Sequence, residues 1–258
     1  MQILSTPTTW KQLQEFVAQI LKQCSFNVEI EKTIEDVRGN VEIDVLAEEI
    51  IDNRKYKIIC ECKYWKNNIP QLYIQALRTI VADLGANAAY IITTSNFQKG
   101  AFESAKYTNV ELLTWEDFQK KFFESWYINY FSPHLHNIIT SKYDPLAIHF
   151  FEDFQLISRE NFSKLITAYN QLIEIANHFP HHILKIIPNQ SIDIEDKLPI
   201  IDKINQNVKD DWKLTNCFPP DEIIRETNYS ILLEKIEILA NSVYFELDKL
   251  NLNIDNED

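Results

Sequence analysis

The apolar positions of the first 125 residues change period several times, and each change marks an element. Trp10, Leu13, Phe16, Val17, Ile20, Leu21 and Cys24 recur at three- and four-residue steps behind Thr8 and Thr9, which predicts a capped amphipathic helix. Asn27 to Thr33, Val41 to Glu48 and Lys55 to Tyr64 then alternate or run apolar over strand lengths. The polar segments Asp36 to Asn40 and Asp52 to Arg54 separate them, so three strands in meander order are expected. From Pro70 the helical spacing returns through Leu72, Ile74, Leu77, Ile80, Val81 and Leu84, and Gly85 stops it. Ala88 to Thr94 reads as a buried strand, Phe97 to Tyr107 as a helix, Val110 to Thr114 as a strand and Trp115 to Phe123 as a closing helix. Strands followed by alternating helices and strands predict an α/β unit with a mixed sheet.

Beyond residue 125 the strand signals fade. Asn161 to His178 carries Phe162, Leu165, Ile166, Tyr169, Leu172, Ile173 and Ala176 at helical spacing, and Asp221 to Leu250 reads as a long helix with a break. Between them, Pro180 to Pro220 is rich in Pro, Asn and Asp and reads as loops around short pieces. Asn251 to Asp258 is polar and acidic and is expected to fray. The chain thus divides into an α/β domain, residues 1–125, and a mostly α-helical C-terminal domain, residues 126–258. For the second, recognition, oligomerisation or regulation is the expected role.

Composition narrows the class. A chain of 258 residues with 45% apolar residues can bury a sizeable core, and no run approaches the ~20 apolar residues of a membrane span. No basic leader precedes an apolar core at the N-terminus, and four cysteines make no disulfide framework, so a cytoplasmic location is expected. The net charge of −13 argues against coating nucleic acid by charge alone, yet leaves room for a local basic cleft or a bound divalent cation. The charge is uneven: residues 1–125 are net −3 and residues 126–258 net −10.

Candidate chemistry lies on the second and third strands. Glu42 and Asp44 are two apart and share a face, while Val41, Ile43 and Val45 point the other way. Glu61 and Lys63 likewise share a face, with Cys60, Cys62 and Tyr64 opposite. Inward-pointing charges in apolar strands cost several kcal/mol (~3–5) unless paired or bound to metal. Two converging carboxylates can hold Mg²⁺, and a neighbouring lysine can orient a water and offset phosphate charge, which is the equipment of phosphodiester hydrolysis. A structural ion pair or a solvated sheet face uses the same residues, and spacing alone leaves both open.

The wider pattern adds to this. Arg38-Gly39-Asn40-Val41-Glu42-Ile43-Asp44-Val45, then Ile59-Cys60-Glu61-Cys62-Lys63, then Ala89 to Phe97, then Gly100-Ala101 to Ala105 with Val110 to Leu113, resembles the Mrr-like restriction endonuclease family of the PD-(D/E)XK nuclease superfamily, over about residues 8–123. The resemblance implies a restriction-endonuclease-like mixed sheet flanked by helices and a metal-dependent endonuclease acting on DNA in restriction or defence. Asp44 matches the metal-binding aspartate, Glu61 the acid and Lys63 the lysine of the (D/E)XK element. The catalytic set implied is therefore Asp44, Glu61 and Lys63, with Mg²⁺, or Mn²⁺ in its place, held by Asp44, Glu61 and the backbone carbonyl of Cys62. Ile43 stands where the superfamily has its proline. The family's frequent helical glutamate falls at Gln14; at 100° per residue Gln14 flanks the apolar stripe and can approach the sheet, whereas Glu15 points away. Gln14 is thus a candidate to hold water or orient a carboxylate, and Gln75 on the following helix a polar helper or a solvent-facing residue.

Other groups weigh less. His134, His136, His149, His178, His181 and His182 have no cysteine or carboxylate at zinc-ligand spacing, and no Gly-rich phosphate loop exists. Thr93-Thr94-Ser95 can contact phosphate or cap the next helix. Lys55, Lys57, Lys63, Tyr64, Trp65, Lys66 and Arg78 can track a DNA backbone or be ordinary surface groups. The expected partners are DNA, a second copy of the chain in a dimer, and a protein or ligand on the C-terminal domain. Two rival readings remain: a non-catalytic assembly module on a nuclease fold, and a nuclease for RNA or branched DNA.

Overall fold

A computed structural model of the protein describes residues 2–36, 39–139, 159–179, 197–204, 206–214 and 218–254. The chain divides into two compact units, Gln2–Asn129 and Tyr130–Asp258.

In the first unit α1 (Trp10–Gln23) leads into β1 (Asn27–Asp36), β2 (Gly39–Ile51) and β3 (Arg54–Lys63). There follow α2 (Gln71–Leu84), β4 (Ala88–Thr93), α3 (Lys99–Ala105), β5 (Val110–Thr114) and α4 (Trp115–Trp126). The sheet order is β1-β2-β3-β4-β5, antiparallel across the first three strands and parallel from β3 to β5, so the expected mixed sheet flanked by helices is present. Local chemistry sets the boundaries. Thr9 accepts the Gln12 N–H to open α1, Asp52 and Asn53 take the left-handed conformations of a two-residue hairpin, and Gly85 closes α2 at φ 60°. Thr114 and Asp117 form a capping box that starts α4. The closing helix runs to Trp126 and continues as a π-helical turn, Tyr127–Phe131, because Phe122, Phe123 and Trp126 extend its buried stripe.

Tyr90 packs edge-on against Phe122 of α4, whereas its neighbours Ala89 and Ile91 join Ile74, Leu77 and Val81 of α2 in one core cluster. The two helix layers therefore cover opposite faces of the sheet. Cys60, opposite Tyr90, is buried on the α4 side, and Glu61, opposite Ile91, faces α2.

The expected alternation along β2 breaks at Asp44. Ile43 and the partly buried Val41 pack with Leu46 and Ile59, although strict period two would put Ile43 and Leu46 on opposite faces. Glu31 has φ 52°, the ladder to β1 skips the Glu31 and Asp44 positions, and the ladder to β3 ends at Val45 and Cys60. A local kink rotates β2 at the residue that carries the acid.

The second unit is helical where described: Arg159–Asn177, Ile200–Lys203, Gln206–Leu214, Asp221–Ile224 and Tyr229–Ile254. The expected break in the long helix falls at residues 225–228, where the Asn228 side chain accepts the N–H groups of Ser230 and Ile231 and starts the last helix. That helix continues to Ile254, past the point where fraying was expected. Leu172, Ile175, Trp212, Tyr229, Leu232 and Ile236 are buried within the unit, and Tyr169 is half-buried. Phe162 and Leu165 lie outside the described side chains, as do His149, His181 and His182.

Candidate active site at the open end of β3

The ladder between β2 and β3 ends at Cys60, but β3 runs on through Glu61, Cys62 and Lys63, held by β4 alone. The sheet is therefore open on the β2 side of β3 from Glu61 onward, and backbone groups that would have paired with β2 need other partners. Asp44 supplies one: its Oδ2 accepts the Cys62 N–H at 2.7 Å. Its Oδ1 accepts from Gln14 Nε2 at 3.0 Å. Gln14 belongs to the buried stripe of α1 and is 1% exposed, while Glu15 is exposed. Among the described residues Gln14 Oε1 has no hydrogen-bond partner.

Glu61 and Lys63 are two apart on the α2 side and form an ion pair, with side chains 25% and 16% exposed. The Lys63 ammonium also lies 5.0 Å from the centre of the Tyr73 ring. Burial pushes the Asp44 carboxyl up to about 6, and the charge of Glu61 adds to that; the Cys62 N–H, Lys63 and Gln14 pull the other way. Asp44, Glu61, Lys63 and Gln14 are thus one electrostatic group. Gln75 lies exposed on α2, and Glu42 is exposed on β2.

Trp10 escapes sequence reasoning, and Thr93 takes a part other than the two expected of it. Trp10, the first residue of α1, donates its indole N–H to the Cys62 carbonyl at 3.1 Å. Thr93, buried at the end of β4, donates to the Lys63 carbonyl at 2.9 Å and is 3.1 Å from the Ser95 hydroxyl. Ser95 in turn donates to the Asn67 carbonyl, and Thr94 to that of Trp65. These hydroxyls neither cap the next helix, whose first position follows Gln98, nor stand free for phosphate. They pin the segment behind Lys63. A hydroxyl run at the end of a buried strand was the available signal for Thr93; nothing in the sequence marked Trp10 beyond its place on the helix.

The expected basic track is mostly committed elsewhere. Lys55 pairs with Glu48, Lys57 donates to the Leu84 carbonyl and Arg78 to that of Ser104. Lys66 is exposed beside Tyr64 and Trp65. Among the described residues no three His, Cys, Asp or Glu side chains converge as a metal cage. The donors at the opening are two carboxylates, an amide oxygen and a backbone carbonyl, a set of hard oxygen ligands suited to Mg²⁺ and not to zinc.

Among the described residues no helix is long and apolar enough to cross a membrane. No curated protein matches the chain. Solved structures that match include a protein of unknown function, AF1548, 17% identical over 93% of this chain and 97% of that chain, with a TM-score of 0.36. Another is the DNA modification-dependent restriction endonuclease AspBHI, 12% identical over 46% of this chain and 38% of that chain, with a TM-score of 0.28. Neither likeness is close enough to carry an argument. The family comparison is different, because the restriction endonuclease model of the Mrr catalytic type matches residues 6–122, a stretch that begins just before α1, ends within α4 and includes every group at the opening. Over residues 6–122 the chain is thus similar to restriction endonucleases of the Mrr catalytic type.

Proposed function

We propose that this domain is a Mg²⁺-dependent endonuclease that hydrolyses phosphodiester bonds of DNA. The observation that carries the reading is the group at the open end of β3: Asp44 bonded to the Cys62 N–H, with Glu61 and Lys63 flanking that residue as an ion pair. Paired acids and a lysine at an opening, where strand pairing stops, have no role in the core.

Asp44, Glu61 and the Cys62 carbonyl would hold the ion. Gln14 Oε1, buried without a partner beside Asp44, fits the approach of a cation or of a water bound to one. When bound, Mg²⁺ supplies Lewis-acid polarisation of the scissile phosphate and offsets charge on the leaving oxygen. Lys63, steadied by Glu61 and the Tyr73 ring, orients the attacking water and stabilises the extra negative charge that develops on the phosphoryl oxygens. Trp10 and Thr93 hold the carbonyls of the two peptides that flank Lys63 and so fix the direction of the lysine.

The biological setting suggested by the family is restriction or defence against foreign DNA in the cytoplasm, an analogy at the level of fold. The helical second unit would serve recognition, regulation or pairing into a dimer. Purified full-length protein incubated with plasmid, linear DNA, single-stranded DNA and RNA tests the class. Cleavage of DNA with Mg²⁺ or Mn²⁺ and none in EDTA is expected. DNA intact under every condition would favour the assembly-module reading.

A further inference from the structure

We propose that the rim of this opening is a stacking platform for unpaired DNA bases, built from Trp65 and Tyr73 on one side and Trp10 on the other. The inference deepens the nuclease reading and rests on it for the choice of DNA.

Tryptophan is seldom left in water, and this protein follows that rule everywhere but here. Trp115, Trp126 and Trp212 are buried. The two exposed tryptophans, Trp10 at 42% and Trp65 at 37%, both attach to the end of β3. Trp10 does so through its indole N–H on the Cys62 carbonyl. Trp65 does so through an edge-on contact, 5.0 Å between ring centres, with Tyr73, whose ring lies next to the Lys63 ammonium. Tyr64, between Lys63 and Trp65 in the chain, is also exposed.

The platform is held in advance. The Trp65 carbonyl accepts from Thr94, the Asn67 carbonyl from Ser95, and Ile69 bridges to Phe97. Rings held in this way lose little freedom on binding.

Charge points the same way. Gripping a duplex takes several lysines or arginines on successive phosphates. Near the opening Lys63 is paired with Glu61, Arg78 is bonded to the Ser104 carbonyl, and Lys55 and Lys57 are engaged at the other end of β3, while Lys66 stands exposed beside Trp65. Exposed aromatic faces suit bases that have left the stack, because every base offers a π-face, and one exposed lysine beside them, Lys66, can meet a backbone phosphate without the row of cations a duplex needs. A single strand, a frayed end or a gap would bring such bases next to Asp44, Glu61 and Lys63.

The test is fluorescence anisotropy of labelled oligonucleotides in EDTA, so that binding is read without cleavage. Full-length protein should bind a 20-residue single-stranded DNA more tightly than the blunt duplex of the same sequence. Trp65→Ala should weaken single-strand binding by about 5- to 150-fold, the range for loss of one stacking ring. Trp65→Phe should restore most of it, and Tyr56→Ala, an exposed aromatic seven residues back along β3 from Lys63, should change nothing. Equal or tighter duplex binding, or a Trp65→Ala protein that binds like wild type, would overturn the platform. Tighter binding of single-stranded RNA would overturn the choice of DNA. Metal-dependent cleavage confined to duplex would remove the inference and leave the nuclease; ring-dependent binding without any cleavage would do the reverse.

Discussion

Asp44→Asn separates the demands of folding from those of chemistry at the same atom. In the metal-free protein the Asp44 carboxyl is raised from 3.8 to about 6, chiefly by burial and then by Glu61. The folded state therefore keeps its proton to higher pH than the unfolded chain does. The associated stability is fully present below about pH 4 and is lost as pH rises through about 6. A rise of that size corresponds to about 3 kcal/mol, and discounting for the water that reaches a half-buried carboxylate leaves roughly 1–2 kcal/mol. An asparagine keeps the acceptor for the Cys62 N–H, and its amide can donate to Gln14 Oε1 if the Gln14 amide turns over. The charge alone is removed. In EDTA at pH 8, urea denaturation should show the asparagine protein roughly 1–2 kcal/mol more stable than wild type, and at pH 4 the two should coincide. Saturating Mg²⁺ should invert the order, because an ion at 100 times its dissociation constant stabilises only the protein that binds it, by about 2.7 kcal/mol. An asparagine protein less stable than wild type at pH 8 in EDTA, or a difference unchanged between pH 4 and pH 8, would refute the reasoning.

Other substitutions probe the surroundings of that carboxylate. Gln14→Glu sets a third acid against Asp44; the metal-free protein should lose roughly 1–2 kcal/mol at pH 8, while the stabilisation by Mg²⁺ should grow, both read by thermal denaturation. Thr93→Val removes the hydroxyl on the Lys63 carbonyl and should cost about 1–2 kcal/mol; the cleavage rate should fall by roughly tenfold with DNA affinity unchanged. Analytical ultracentrifugation of the full chain should show a dimer at micromolar concentration. A monomer with full cleavage activity would show that pairing is not needed.

The apolar pattern was enough to reveal the helices and strands of residues 2–129, because the helices bury one face each and β4, buried throughout, is an unbroken apolar run. Gly85, Asp52 and Asn53 announce their turns in the sequence, since few other residues adopt those backbone angles cheaply. Gln14 was legible by the same logic: its angle on α1 directs it to the sheet, where it meets Asp44. What was not legible depends on register. The kink at Asp44 coincides with a left-handed Glu31 on the neighbouring strand, and a left-handed glutamate leaves no compositional trace. Lys55, Lys57 and Arg78 look free in sequence because their partners, Glu48 and the carbonyls of Leu84 and Ser104, are brought to them only by the fold. Trp10 reads in sequence as part of the apolar stripe of α1 and Trp65 as part of a basic and aromatic run, yet both are exposed. Their common attachment to the end of β3 is a fact of three dimensions.

The central claim is that Lys63 acts on the phosphate at an opening whose metal is held by Asp44 and Glu61. Its most direct measurement is the single-turnover rate of DNA cleavage in Mg²⁺ by wild type and by Lys63→Ala, both at saturating protein. The side chain is paired with Glu61 and stands outside the apolar cluster of the sheet, so the alanine protein should fold, bind Mg²⁺ and bind DNA nearly as wild type does. Its cleavage rate should fall by about a hundredfold or more. A Lys63→Ala protein that cleaves at the wild-type rate would contradict the account.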